Sequence, residues 1–407
     1  MRVQLYAAIL MAIAGSAGAA PSDQTPGHKI HIDLKALPEP YSPPSRANPP
    51  RTVPRPAGAL PTVPAGFVAN LFADKVGNAR NLMVAANGDV FVVTSRENKI
   101  VLLHDDGSGK AKAATTFAEG FNNPHGFAFI KDAILVGDLD GIWRIPYTVG
   151  DSVARAKPVR ITAEGAFADP GGHATRNVVV SPDGTKIYVA IGSRGNIAEE
   201  PDPRATIQEF AVDGSAQRTF ARGLRNAVGI QFAPGTNDLY AVVNERDTLG
   251  DELVPDYFTK VVDGGFYGWP YSYLGAHPQP KLAEKRPELV AKAIVPDVPF
   301  RSHSAPVGMV FYTGALFPKE YQGGAFVALH GSWNASTPRG YHVVYVPFVG
   351  GKPSDTYMVF AAGFWSGNDA RPEVWGRPAG VAVAKDGSLL IADDVSDSVW
   401  RVTYKGK

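Results

Sequence analysis

From Phe67 onward one phrase returns, loosely, about six times: a small or polar opening, an alternating apolar strand, a turn, then a second strand. The copies are RNLMVAANGDVFVVTSRENKIVLL, HGFAFIKDAILVGDLDGIWRI, RNVVVSPDGTKIYVAIG, VGIQFAPGTNDLYAVVN, VGMVFYTGALF…GGAFVALHG and AGVAVAKDGSLLIADDVSDSVWRV. ANGD, SPDG and KDGS put Gly or Asp where a hairpin turn needs positive φ. The flanking runs are rich in Val, Ile, Phe and Tyr and have strand length. Helical periodicity is scarce; residues 282–294 form the one tempting stretch, and Pro287 interrupts it. A unit of several strands recurring every roughly 45 to 80 residues buries its apolar faces by stacking on its neighbours, and a ring of such sheets is a β-propeller. The sequence therefore predicts an all-β fold, a six-bladed β-propeller of four-stranded antiparallel sheets, over residues 65–407. The competing folds are a seven-bladed ring with one degenerate blade and a pair of β-sandwiches, which would leave the recurrence without a cause. The later repeats are longer, and DELVPDYFTKVVDGGFYGWPYSYLG reads as an insertion that loops out on one face.

Two segments precede the repeats. Residues 1–20, MRVQLYAAILMAIAGSAGAA, have an early Arg2, an apolar run and the small-residue site Ala17-Gly18-Ala19. That is the pattern of a secretory signal peptide, and the apolar run is short for a membrane span. Export to a periplasm is the expectation, with no stable membrane insertion. Residues 21–64 are dense in proline, which fixes φ and removes backbone donors, so they read as an extended arm with no core of its own.

Composition limits the chemistry. A hydrophobic share of 44% with 19% charged residues describes a globular chain. The net charge of +1 supplies no field to draw in nucleic acid, so anion binding requires a local cluster of cations. The absence of cysteine excludes disulfides, thiolate metal sites and covalently attached haem.

Propeller geometry supplies such a cluster. The innermost strands line one channel, so the residues that open them converge: Arg80-Asn81, His125, His173 with Arg176-Asn177, Arg225-Asn226, Ala305-Pro306 and Arg377-Pro378. Four arginines and two histidines at one mouth suit a small anion bearing carboxylates or phosphates. Each arginine has a purely structural alternative, bonding loop carbonyls between blades, and His125 is read as pocket-lining. His173 follows Gly171 and Gly172 and has no acidic neighbour in sequence, which suits a neutral general base. The segment NERDTLGDELVPDYF carries five carboxylates in a spacing unlike an EF-hand. It reads equally as oxygen ligands for Ca²⁺ or as a solvated acidic loop.

Taken together, HATRNVVVSPDGTKIYVAIGSRGN, GLRNAVGIQFAPGTNDLYAVVNERD, GGFYGWP, HSAPVGMVFYTG and GRPAGVAVAKDGSLLIAD resemble the soluble quinoprotein sugar dehydrogenases, in particular the L-sorbosone dehydrogenase branch. The resemblance runs from about Phe67 to Tyr404. It implies a pyrroloquinoline quinone (PQQ) and a Ca²⁺ ion at the channel mouth and oxidation of an aldose or a sorbosone-like aldehyde. It assigns His173 as general base and Arg225 as the arginine that polarises the quinone. Asn226 and Arg377 match cofactor-pocket residues, with Arg80 and His125 lining that pocket. Backbone carbonyls at Asp247 and Thr248 match the calcium ligands. Two departures stand out. Ser193 follows Gly192 where the glucose-oxidising relatives have an aspartate that orients the histidine, and Arg339 is the candidate in place of the family's cofactor-binding lysine. With no haem motif, electrons would pass to an external quinone or cytochrome.

Two other functions fit a propeller: a calcium-dependent lactonase, which would place carboxylates around the channel metal, and a non-catalytic binder of protein or glycan. Substrate contacts are expected from loops 267–273 and 331–340, where Trp269 and Trp333 could stack on a sugar face or simply pack between blades.

Overall fold

Strand alternation accounts for the layering. In Val90–Thr94, Val90 and Val92 pack into the core shared with one neighbouring sheet, while Phe91 and Val93 pack into the core shared with the other. Lys99–Leu103 repeats the division, with Val101 and Leu103 on one side and Ile100 and Leu102 on the other. A strand apolar on both faces has to lie between two sheets. The computed structural model, which describes residues 22–366 and 371–406, arranges six such sheets radially as a six-bladed β-propeller. The expected signal peptide, residues 1–20, lies outside the described residues.

The six innermost strands are Ala79–Val84, Gly126–Ile130, Val178–Val180, Asn226–Phe232, Pro306–Phe311 and Pro378–Val383. Each touches the next around the axis, and the last touches the first. The large apolar clusters are the interfaces between successive blades, so the core is a ring of sheet-on-sheet layers. The ring is closed by Phe67–Ala73, which pairs antiparallel with Ser398–Tyr404 and completes the sixth blade from the other end of the chain.

Two expectations change, and the arm's position gains detail. Part of the presumed insertion, Pro255–Val261, is the third strand of blade 4 rather than a loop. Its residues are buried between blades, a role that alternation at its polar positions conceals. Pro287 opens the one-turn helix Pro287–Val290, because a first-turn proline forfeits no intrahelical bond. The proline-rich arm is docked on the propeller. Lys29–His31 adds a fifth strand to blade 5 beside Thr356–Ala361, and Arg51–Thr52 pairs with Glu373–Val374. Among the described residues no helix is long and apolar enough to cross a membrane.

Candidate active site

His173 is presented by close backbone packing. Gly172 has φ +80°, and a Cβ there would lie 2.3 Å from Arg194 Cα, so only glycine brings this turn against the loop after the second strand. Arg176, fully buried, donates from Nη1 to the carbonyls of His173 (2.7 Å) and Thr175 (2.9 Å). It pins the turn from behind and does not reach the cavity, in contrast to its expected place in the cationic ring. Burial lowers its pKa to about 10, which leaves it charged at neutral pH.

The histidine's Nδ1 lies 2.7 Å from the Ser193 carbonyl oxygen and 3.1 Å from Ser193 Oγ. A carbonyl only accepts, so Nδ1 carries the proton and Nε2 keeps its lone pair. Ser193 Oγ in turn donates to the Gly195 carbonyl at 2.6 Å. Burial, reinforced by Arg225, lowers the His173 pKa to about 4, against the raising influence of the Ser193 carbonyl and Asp247. The ring is thus neutral, and among the described residues its basic nitrogen has no hydrogen-bond partner. The group that orients the ring is a main-chain carbonyl and not a carboxylate.

His173 opens onto a cavity of about 370 Å³ at the channel mouth, in the range of small-ligand sites. Arg80, Arg225 and Arg377 line it, with Asn226, His330 and Trp333. Arg225 is committed: Nε donates to Asn196 O (3.0 Å), Nη1 to Glu245 O (2.7 Å), and Nη2 lies 3.5 Å from Asp247. Arg80 uses Nη1 on Asp394 (2.7 Å), and Arg377 uses Nε and Nη2 on the His330 and Gly331 carbonyls (2.7 and 2.8 Å). Among the described residues both keep further N–H donors uncommitted. Cationic donors converging on a cavity suit a ligand with several carboxylates.

Glu245, Asp247 and Asp256 line the same cavity. Glu245 is pushed up to about 7 and Asp256 to about 6, in each case chiefly by burial. Burial also raises Asp247, but His303 and Arg225 outweigh it and hold that carboxyl below the ordinary range. Asp256 accepts the backbone N–H groups of Glu245 and Ala305, each at 2.8 Å. Glu245 Oε1 is buried without a partner.

Several expected site residues fall elsewhere. Arg339 is not a cavity residue. It is 1% exposed and donates to the Asp251 carbonyl (2.8 Å), the Asp251 carboxylate (3.2 Å) and Glu252. A guanidinium beside two carboxylates of the acidic loop is held there as a rivet. The calcium reading of that loop also changes. The Asp247 carbonyl accepts from Asn196 Nδ2 and Arg246 Nε, both at 2.9 Å, which occupies both lone pairs. Thr248 Oγ1 accepts from the same two residues, and Thr248 does not line the cavity. Asp247 reaches the cavity with its carboxylate instead. Among the described residues no group of three or more His, Cys, Asp or Glu could hold a metal ion. His125 lies beneath the cavity lining, with both ring nitrogens unpartnered and its pKa depressed well below the usual value by burial. Trp269 is buried and donates to the Asn196 carbonyl at 3.1 Å, whereas Trp333 is 48% exposed on the rim.

Sequence reading missed His330 and Asp394. His330 Nε2 lies 2.8 Å from Asp394 Oδ1, and Arg80 and Arg377 gather around the pair. Against the cost of burial, His330 and these arginines hold the Asp394 carboxyl far below the usual range. The signal was available. In an antiparallel hairpin the second strand ends where the first begins, so the residues just after second strands share the mouth. Glu245, His330 and Asp394 all occupy that position, after Leu239–Asn244, Ala325–Leu329 and Leu389–Asp393.

Comparison with known proteins places this geometry. A protein of Borreliella burgdorferi described only as uncharacterized is 27% identical over 353 residues, 84% of this chain and 90% of that protein. The pyrroloquinoline quinone-dependent pyranose dehydrogenase of Coprinopsis cinerea is 26% identical over 332 residues, 66% of this chain but only 44% of that longer protein. The holo structure of the PQQ domain of the Coprinopsis pyranose dehydrogenase superposes with a TM-score of 0.71 at 20% identity, covering 88% of this chain and all of that domain, and so shares the fold. The TrAA12-like family model matches residues 61–256 and 285–405, which include strands of all six blades, and the chain therefore belongs to the TrAA12-like family.

Proposed function

We propose that the protein is a quinoprotein sugar dehydrogenase that oxidises an aldose or a sorbosone-like aldehyde, with PQQ as its bound oxidant. One observation carries the reading: a neutral histidine with a free Nε2 opens onto the same cavity as three arginines, two of which hold uncommitted donors. A base alone would fit a hydrolase, and cations alone would fit an anion binder. Their juxtaposition fits removal of a hydroxyl proton beside a tightly held polycarboxylate. The similarity to a PQQ-dependent pyranose dehydrogenase supports the same reading.

Arg80 and Arg377 would grip the carboxylates, and Asn226, 7% exposed on the inner strand, would face the bound ring system. The quinone, when bound, supplies a two-electron acceptor for the hydride on the substrate carbon. The chain's own work is the proton. His173 Nε2 accepts it from the hydroxyl, and the Asp247 carboxylate favours the imidazolium that results. Among the described residues the cavity's donors do not form a calcium site unaided: the Asp247 carbonyl is engaged, and Glu245 Oε1 is a buried carboxylate oxygen without a partner there. Calcium would need ligands from the cofactor, and no step above depends on it. Electrons would leave through an external acceptor in the periplasm.

The test is a PQQ titration with and without chelator, followed by dye reduction with a panel of aldoses, sorbosone and a lactone control. Saturable PQQ binding with sugar- or aldehyde-dependent dye reduction is expected. His173→Ala should cut turnover by about 10²- to 10⁴-fold while PQQ affinity stays within a few-fold. Lactone hydrolysis without quinone, or no PQQ binding, would overturn the proposal.

A further inference from the structure

Two loops frame the outer rim of the cavity: residues 245–254, after the second strand of blade 4, and residues 330–341, after the second strand of blade 5. The first carries Asp247 and the second His330, Gly331 and Trp333. They are bolted together below the rim. Arg339 bonds Asp251 and Glu252, and Ser336 donates to the Asp251 carboxylate from N (2.7 Å) and Oγ (2.6 Å). Nearer the cavity, Asn334 Nδ2 lies 3.4 Å from Asp247 Oδ1.

The proline-rich arm crosses both loops and is bonded to each. Tyr41 N donates to the Leu249 carbonyl, and Asp251 N donates to the Pro43 carbonyl at 3.0 Å. The approach is close: a Cβ on Gly250 would lie 3.3 Å from Pro43 O. On the second loop, Asn48 N donates to the Trp333 carbonyl at 2.7 Å and Asn48 Nδ2 to the Ser336 carbonyl at 3.2 Å. Ser45 Oγ donates to Asn334 Oδ1 at 2.6 Å.

The last contact has a chemical consequence. Asn334 is 2% exposed, and its amide can be placed either way round. A hydroxyl donating to Oδ1 selects one orientation, the one that aims Nδ2 at Asp247. A polar relay thus runs from the arm through Asn334 to a cavity carboxylate that faces His173. Prolines 43, 44, 49 and 50 flank these donors and limit the backbone freedom of the segment that presents them. The arm also lies outside the family-matched span, which starts at residue 61.

We propose that Ser45 and Asn48 of the arm are positioning residues of the active site, holding Asn334 against Asp247 and Trp333 at the rim where a sugar would enter. The inference builds on the sugar-dehydrogenase reading, with Trp333 as the exposed aromatic surface that a pyranose face would meet. Asp247 keeps Arg225 (3.5 Å) and His303 (3.6 Å) beside it without the arm, so loosening the arm should weaken substrate capture and leave the chemical step intact.

The experiment uses the full chain carrying Ser45→Ala, Asn48→Pro or Trp333→Ala, with Arg46→Ala as an arm control. Loaded with PQQ and Ca²⁺, the Ser45 and Asn48 variants should raise KM for the best sugar by about three- to tenfold, the worth of one buried hydrogen bond. Their kcat should stay within twofold, and Asn48→Pro should add nothing in a Trp333→Ala background. Hydrogen exchange on the protein without cofactor gives a second readout. Both variants should deprotect residues 245–254 or 330–341, with Arg46→Ala unchanged. Wild-type protection of both loops in both variants would overturn the proposal, as would an unchanged KM or a loss confined to kcat. If wild-type protein binds no PQQ and oxidises no sugar, the dehydrogenase reading fails, while exchange still decides whether the arm holds the rim.

Discussion

At His173 the ordering group is a main-chain carbonyl, and that fixes what side-chain substitution can do. The Ser193 carbonyl sets the tautomer at 2.7 Å, while Ser193 Oγ sits farther away, at 3.1 Å, and spends its proton on Gly195 O. Ser193→Ala should therefore keep kcat/KM within about tenfold, because the hydroxyl contributes at most one modest hydrogen bond. The acid limb of kcat/KM tests the same geometry. With a pKa lowered to about 4, the ring stays in its proton-accepting form across neutral and mildly acid pH, and activity should fall only as pH approaches 4. A limb near 6.5, or a hundredfold loss in Ser193→Ala, would show that the carbonyl does not hold the ring. His173 was legible because two glycines and a strand opening mark it in the chain. Arg339 was misread because its charge is visible in sequence and its partners, Asp251 and Glu252, lie 88 and 87 residues away.

Blades were legible because each inner and second strand announces itself by local alternation and a Gly-Asp turn. What joins one blade to the next was not, since those contacts lie between side chains on separate sheets. Ring closure is the clearest case. FVANLFA is apolar except at Asn70 and reads as the start of the first repeat, yet it supplies the outermost strand of the sixth blade. Phe67 anchors it, with its ring centroid 4.8 Å from Phe317, 5.2 Å from Tyr321, 5.1 Å from Phe360 and 5.0 Å from Tyr404. Phe360 belongs to blade 5, Phe317 and Tyr321 to the connection between the first two strands of that blade, and Tyr404 to blade 6, so one side chain ties the closing strand to both blades. Phe67→Ala removes a buried aromatic from a cluster that cannot collapse around the gap. It should cost about 3–5 kcal/mol, read as a drop in the urea midpoint at unchanged slope. A loss under ~1 kcal/mol would mean that the closing strand carries little of the stability.

Over the whole molecule, a formal charge of +1 hides a crowding of opposite charges that composition cannot reveal: Arg80, Arg225 and Arg377 share the cavity with Glu245, Asp247 and Asp256, and burial lowers the pKa of His173 and His330 beside them. These groups give the folded state its own pH dependence, in opposing senses. Glu245 and Asp256, raised to about 7 and 6, bind protons in the folded protein before they do in the unfolded chain, and so favour folding as pH falls. His342 acts the other way. It is 2% exposed, its Nδ1 lies 3.0 Å from the Gln24 amide nitrogen, and burial, helped by Arg301, lowers its pKa to about 3. Gln24 can only donate from that nitrogen, so Nδ1 accepts and the ring is neutral. The unfolded chain takes up this proton below its ordinary 6.5, and the folded protein does not until about 3, so stability is lost progressively as pH drops through that window. At pH 5 the gap below the ordinary value is worth ~2 kcal/mol at 1.36 kcal/mol per unit. Because the carboxyls offset it, the total slope is a poor measure of this one residue. His342→Gln isolates it: the amide keeps an acceptor for Gln24 and cannot titrate. Between pH 7 and pH 5 the variant should lose ~2 kcal/mol less of its unfolding free energy than the wild type, measured by urea unfolding at both values. Equal losses would show that His342 is not held neutral. The arm adds a consequence of its own. Protonating Nδ1 sets two donors against each other where Gln24 anchors the start of the arm to blade 5, so acid should release that end first, seen as faster exchange at residues 23–30 before the blades open.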